Sequence, residues 1–319
     1  MSRLLADLFT PQLLGATVRL AAPVSLGALA SVVCERSGVT NIAMEGVMLV
    51  GAFCAAWAAW LTGSPWLGLL GGAAGGVLFS LLFAWAAVSL HMNHVVAGAI
   101  MNILSFGITR YLMVVVYGHQ GTSPSIAHSL QDYRLAIPFL SRVPFIGPAL
   151  FDQTPIVYLS LLAAVLWAWI YARTRLGLSM IASGEHPMAL ETLGRSVLRV
   201  RYTAILLAGV LCGAAGAFLS IENADSFTEG MTGGRGFIAL AANIAGGWRP
   251  VGALLASLFF GFVDAFQLRA QSLGIIRLPS EVFLVFPYVA TILAVAGFVR
   301  KSRPPAAVGK DFTVEGNGE

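Results

Sequence analysis

Charged residues are scarce in this chain: Asp, Glu, Lys and Arg make up 11% of its 319 residues, against 57% hydrophobic ones. Soluble domains carry about a quarter charged residues. This balance, with a mean hydropathy of +0.81, excludes a soluble fold and indicates a polytopic membrane protein. Lysine is rarer still, occurring only at Lys301 and Lys310, so arginine supplies nearly all of the positive side of a +4 net charge. Those arginines gather at the ends of apolar runs, where the cytoplasmic bias of basic residues accounts for them, and no nucleic-acid partner is expected. Cysteine is limited to Cys34, Cys54 and Cys212, without pairing or ligand spacing, which reads as small buried side chains. His91 and His94, three apart with no Cys or carboxylate beside them, read as a cytoplasmic span boundary and not as metal ligands. A G-x-x-x-x-G-K-[ST] loop is absent, since Lys301 follows Arg300 and Lys310 precedes Asp311, so the chain has no P-loop with which to hydrolyse ATP. Neither G-x-S-x-G nor H-E-x-x-H occurs, which leaves no membrane hydrolase signature. An unbroken apolar core near the start is also missing, because Asp7 and Pro11 interrupt it; the N-terminus reads as retained and not as a cleaved signal.

What is abundant is apolar sequence. Runs fall at about 12–33, 39–61, 66–90, 94–117, 155–172, 201–221, 236–268 and 281–299, most of them near the roughly 20 residues that cross a bilayer. The seventh is cut by Gly246-Gly247-Trp248-Arg249-Pro250, and the piece before the cut is too short to span. Broken helices survive in a membrane only where protein or a water-filled cavity satisfies the freed backbone, so the break points inward. The expected fold is an all-α polytopic membrane helix bundle with about 8–10 spans, including broken or re-entrant helices. Residues 1–300 form a single transmembrane domain in this reading, and 301–319, rich in Pro, Gly and charge, a cytoplasmic disordered tail. If the runs at 12–33 and 39–61 both cross, the N-terminus lies outside; if one is re-entrant, inside. Arg19 marks the first run as something other than a plain lipid-facing helix. The connection from Gly118 to Thr154 balances Arg134 and Arg142 with Asp132 and Asp152, which fits the external side. Its apolar patches at 137–140 and 145–146 are expected to pack on the mouth of the bundle or at the interface.

One polar island stands apart. Between Arg173 and Tyr202 the chain carries Arg173, Arg175, Arg195, Arg199 and Arg201 against Glu185 and Glu191, a bias that places it in the cytoplasm. Within it, Pro187 can open a short helix, Met188, Leu190, Leu193 and Leu198 supply apolar contacts, and Gly194 can stop it. Such a helix offers a grip for a soluble partner; the alternative is a basic loop that only fixes topology.

Polar residues inside apolar runs are the site candidates. Glu45 in a membrane segment costs about 2.5–3.5 kcal/mol unless partnered or hydrated, and Asn41 four residues earlier shares its face. The pair either lines a polar path or ties a helix start by bonding free backbone N–H groups. Asn102, with Arg110 two turns on, should lie near mid-bilayer and face inward, and Asn243 joins Asn41 and Asn102 as a hydrogen-bonding set for a polar solute. Asp264 and Gln267 mark either another inward face or a hydrated outer helix end. An Asn-Ile pair followed by Gly recurs at 38–46 and 240–250, and paired interruptions in two halves point to a substrate path.

These motifs also carry a resemblance. ERSGVTNIAMEGVMLVGAF at 35–53 resembles ERSGVVNIGLEGMMLIGAF of permease subunits in bacterial ABC importers of the branched-chain amino acid, ribose and nucleoside group. NHVVAGAIMNILSFGITRYL at 93–112 resembles VVSGIALNLLALGLTRFL, and GEHPMALETLGRSVLRVRY resembles GENPRAADTAGINVNRIRY, the segment that docks on the ATPase. FTEGMTGGRGFIALAANIAGGWRPVGA at 227–253 resembles FVENMTAGRGFIALAAVIFGGWRPLGA. Four motifs in order over residues 35–253 identify the chain as a member of that family, closest in form to the shorter of two nucleoside-type permeases. The resemblance implies a type II ABC importer-like fold in the bacterial inner membrane, multi-pass, with a cytoplasmic C-terminus. It implies a heterodimer with a second permease, a cytoplasmic ABC ATPase that binds the ATP, and an extracytoplasmic substrate-binding protein or lipoprotein; this chain itself binds no cofactor. By position, Gly184, Glu185, Pro187, Ala189, Leu193 and Gly194 fall in the coupling segment, and Asn41, Glu45, Asn102 and Gly236 in membrane motifs. His186 departs from a family Asn, Met188 from a usual Arg, and Asn243 from a usual apolar residue. The implied solute is a purine nucleoside or related base, with a simple sugar or branched-chain amino acid as alternative. An ATP-independent channel or secondary transporter would need no docking helix, and a membrane enzyme would need convergent acid, base or metal groups.

Overall fold

A computed structural model describes residues 10–136, 147–273, 289 and 303–312. In hydrocarbon every backbone polar group must be paired within the protein, and the apolar runs accordingly fold as helices. They are α1 (Pro11–Arg36), α2 (Met44–Thr62), α3 (Pro65–Ala84), α4 (His94–Tyr117), α5 (Pro155–Arg173), α6 (Arg175–Glu185), α7 (Pro187–Thr192), α8 (Val197–Ala217), α9 (Arg235–Ala245) and α10 (Pro250–Ser272). Wider π-helical turns prolong α3 through Ser89 and α8 through Asn223. Seven of the described helices are long and apolar enough to cross a membrane. The expected run at 281–299 and the apolar patches at 137–140 and 145–146 lie outside the described residues. The only described strands, Leu135–Ala136 (β1) and Asp152–Gln153 (β2), pair antiparallel with Leu135 opposite Gln153.

Burial ranks the helices. The most apolar stretch of α1 is 89% buried, against 28% for α4 and 33% for α5, so α1 is the central post and α4 and α5 are peripheral. Beside it α2, α3 and α8 close tightly on one another through small residues, the usual device where hydrophobicity gives no drive between helices. Gly72 and Gly76 of α3 face Gly209 and Gly213 of α8 so closely that a Cβ added at Gly76 or Gly213 would collide with the backbone of the facing helix. Phe53, Phe227 and Tyr117 fill the space toward α4 with edge-on rings, Phe53 to Phe227 at 5.3 Å between centroids.

The chain breaks where expected. After α9, Gly247 and Trp248 take φ of +66° and +55°, Arg249 is extended, and Pro250 opens α10. Both α9 and α10 fold back against α1.

One end of α1 meets the arginine-rich island: Arg36 Nη1 lies 3.9 Å from Glu185 Oε1. The other end shares a cavity with Arg134 and Asp152, so the island and these described parts of the Gly118–Thr154 connection lie at opposite ends of α1. The tail departs from expected disorder over Arg303–Phe312. Its backbone bonds the island and the first loop, Ala307 N to Gly184 O at 2.8 Å and Gly309 N to Gly38 O at 3.0 Å, and Ala307 and Phe312 are buried. Small residues allow the turn over residues 306–309 to settle on these carbonyls, which composition alone does not reveal.

Candidate functional site

Glu45, in the first turn of α2, points at the start of α9. Its Oε1 accepts from Gly234 N at 2.8 Å and its Oε2 from Gly236 N at 2.7 Å, in a site where the residue is 3% exposed. Free N–H groups and the positive end of the helix dipole both favour a carboxyl group there. Gly236 must be glycine for this closeness, since a Cβ would stand 2.5 Å from Glu45 Cα.

Asn102 of α4 clamps the entry to α2, its Nδ2 donating to Ile42 O at 3.0 Å and its Oδ1 accepting from Gly46 N at 2.8 Å. Asn41 turns its own loop, Oδ1 accepting from Ala43 N at 3.0 Å and Nδ2 reaching Cys34 Sγ at 3.6 Å. The structure thus brings Asn41, Glu45 and Asn102 around one loop, and all their bonds to backbone are those of a joint. Of the two readings of Glu45, bonding a helix start describes its contacts.

Asn243 stands elsewhere, near the far end of α9. Its Nδ2 donates to Ser31 Oγ at 2.8 Å and Glu35 Oε2 at 3.1 Å, and its Oδ1 has no partner among the described residues. Trp248 Nε1 also donates to Glu35, and Arg36 Nε donates to Trp248 O at 2.7 Å. Glu35, Ser31 and Trp248 were not singled out from the sequence. The available signal was Ser31 and Glu35, four apart in an apolar run, opposite a helix break. Asp264 is half-buried and Gln267 buried on α10. Arg110 does not share the inward side with Asn102: it is exposed and reaches Gln120 Oε1 at 2.9 Å and Glu229 Oε2 at 3.7 Å.

On the arginine-rich face, Gly184 rests on Arg36 O, where an added Cβ would collide. Glu185, beside Arg36, also accepts from Ala306 N at 3.2 Å. Pro187 occupies the first turn of α7. Leu190 turns inward onto Val197 and Phe312, whereas Met188, Ala189 and Leu193 face outward, Leu193 at 80% exposure. Gly194 ends the helix at φ +75° with open space around it. His94 is buried, its Nδ1 accepting from Thr40 N at 3.3 Å and its Nε2 lying 3.8 Å from Asp311 Oδ1. Among the described residues no group of three His, Cys, Asp or Glu could hold a metal.

On the opposite face a cavity of about 390 Å³ is lined by Arg19, Arg134, Asp152, Gln153 and Thr154. Beneath it Glu222, fully buried at the end of α8, accepts from Thr154 Oγ1 at 2.5 Å. Arg19 therefore serves a cavity and not a lipid face, and Glu222 is a second buried carboxyl group that sequence reading passed over.

The sequence profile of the family described as branched-chain amino acid transport system / permease component matches residues 13–295. The guanosine ABC transporter permease protein NupQ of Bacillus subtilis is 38% identical over 308 residues, covering 93% of this chain and 95% of its own length. The nucleoside ABC transporter permease protein NupC of Lactococcus lactis is 37% identical, covering 91% and 93%. A further Bacillus subtilis protein, the guanosine ABC transporter permease protein NupP, is 27% identical, covering 92% of this chain and 85% of itself.

Proposed function

Because the chain belongs to the branched-chain amino acid transport system permease family, and is therefore a transport component and not an enzyme, we infer that it is one permease of an ATP-driven nucleoside importer. The observation that carries the solute class is near full-length similarity to permeases named for guanosine and nucleosides. Two Bacillus subtilis relatives share one solute name, and this chain spans 95% of one and 85% of the other. That supports pairing with a longer sister permease. A separate ATPase binds the ATP, and a receptor outside delivers a purine nucleoside.

The excess of arginine supports a cytoplasmic position for α6, α7 and the tail, and in this reading the chain is multi-pass in a bacterial inner membrane. Gly184, Glu185, Pro187, Ala189, Leu193 and Gly194 form the coupling site, with Leu193 and Met188 as its apolar knob. When ATP closes the ATPase, α7 is displaced. Gly184 and Glu185 bear on the end of α1, and α1 holds α9 through Ser31, Glu35 and Asn243. The displacement thereby reaches the broken helix and its joint at Glu45, a bistable element of the kind such coupling requires. Asn41, Glu45 and Asn102 position the path wall in this reading, and Asn243, whose Oδ1 has no partner among the described residues, faces it.

Uptake by proteoliposomes containing this chain, its sister permease, ATPase and receptor tests the proposal. Labelled guanosine should accumulate only with ATP. ATP-dependent uptake of ribose or a branched-chain amino acid instead would replace the solute, and ATP-independent flux would replace the importer with a channel or secondary transporter.

A further inference from the structure

A second cavity, of about 350 Å³, lies on the arginine-rich face between α6 and the start of α8. Arg175, Arg195 and Arg199 converge on it, with Ser179, Thr203 and Leu176 among its walls, and no Asp or Glu lines it. Arg195 Nη1 donates to Ser179 Oγ at 3.0 Å. The guanidinium groups of Arg175 and Arg199 have neither hydrogen bond nor ion pair among the described residues. The hydroxyls of Ser179 and Thr203 are already donated to backbone carbonyls of Arg175 and Arg199. Both carboxyl groups of the island are engaged elsewhere, Glu185 with Arg36 and Ala306 N, and Glu191 with Val197 N at 2.8 Å. Three exposed arginines therefore border one cavity with no carboxyl group among its described lining, an arrangement that attracts an anion. Guanidinium groups match the paired oxygens of a phosphate.

The surroundings favour a membrane source for that phosphate. The cavity sits where α5 hands over to α6 and where α8 begins, at the ends of two membrane-crossing helices. Leu176 is 39% exposed, and Leu178 and Leu198 on the same two helices are 66% and 43% exposed. Charge beside bare apolar side chains at a helix end is the chemistry of a lipid headgroup with its acyl chains alongside. We propose that this cavity binds the phosphate headgroup of an anionic phospholipid, cross-linking α6 to α8 on either side of α7.

Native mass spectrometry of the detergent-purified full chain with its sister permease tests this, using phosphatidylglycerol and phosphatidylcholine of matched acyl chains as probes. The wild-type protein should retain phosphatidylglycerol preferentially. Arg175→Gln with Arg199→Gln should lower that retention several-fold, while Arg175→Lys with Arg199→Lys, which keeps the charge, should preserve most of it and control for folding. Equal phosphatidylglycerol retention by the Gln and Lys variants would overturn the site. Displacement of the lipid by equimolar inorganic phosphate would assign the cavity to free phosphate instead. Unchanged lipid retention with weakened ATPase co-purification would give the arginines to a protein carboxylate.

Discussion

At the scale of single residues, buried polar groups are bonded to backbone more than to one another. Glu45 satisfies two N–H groups at the start of α9, so Glu45→Ala should orphan both, at about 1–3 kcal/mol per buried unsatisfied group. Glu45→Gln keeps one acceptor oxygen and should lose about half as much; the order wild type, Gln, Ala in thermal unfolding of the purified protein checks the joint. If Ala and wild type melt together, Glu45 is not a structural joint. Asn243→Leu removes the bonds to Ser31 and Glu35 and leaves Glu35 with Trp248 as its remaining α9–α10 partner. Transport should fall while expression of the protein changes less, measured as guanosine uptake normalised to the amount in the membrane.

At the scale of elements, α7 separates an inward from an outward role within six residues. Leu190 is packed and Leu193 is bare. Leu190→Asp should therefore destabilise the island, whereas Leu193→Asp and Met188→Asp should leave the fold intact and uncouple ATP hydrolysis from uptake. ATPase stimulation by loaded receptor, read beside thermal stability, distinguishes the two. Gly194 has room for a side chain, so Gly194→Trp should cost only the strain of a left-handed residue, about 1–2 kcal/mol. The bulky ring would nonetheless obstruct docking. Full stimulation and transport in an assembled Gly194→Trp variant would remove α7 as the docking element. Much of this was legible beforehand: the short helix was readable from Pro187, its apolar spacing and Gly194. Which leucine turns inward was not, because that depends on Val197 and Phe312, the latter more than a hundred residues away in sequence.

At the scale of the molecule, α1 joins the two faces and the tail closes one of them. Arg201 Nη1 donates to Lys310 O at 2.9 Å, and Ala307 and Gly309 bond Gly184 and Gly38. Truncation after Arg303 should therefore free both carbonyls, uncover Leu190 and Val197, and raise hydrogen exchange around Gly38 and Gly184. Unchanged protection in both segments would show that the tail is only an appendage. A strap of this kind ties the first loop, the Arg173–Tyr202 island and α8 into one plate, so under the proposed coupling the truncated protein should also respond less to ATPase closure.

The membrane class, the approximate bounds of the described runs, the break before Pro250, the arginine-rich face and the family are all readable in the sequence. Each follows from local pattern: hydrocarbon demands long apolar helices, and proline, glycine and arginine mark where those helices stop and on which side. Tertiary structure alone decided that Glu45 caps a helix nearly two hundred residues away, that Asn243 joins Glu35 and Ser31 instead of Asn41 and Asn102, and that Glu222 lies under a polar cavity. It also decided that Arg303–Phe312 is packed. For Glu45 and the tail the partners are backbone N–H and C=O groups, which every residue carries; for Asn243 and Glu222 they are side chains 68 to 212 residues away in sequence, and no local pattern announces either kind.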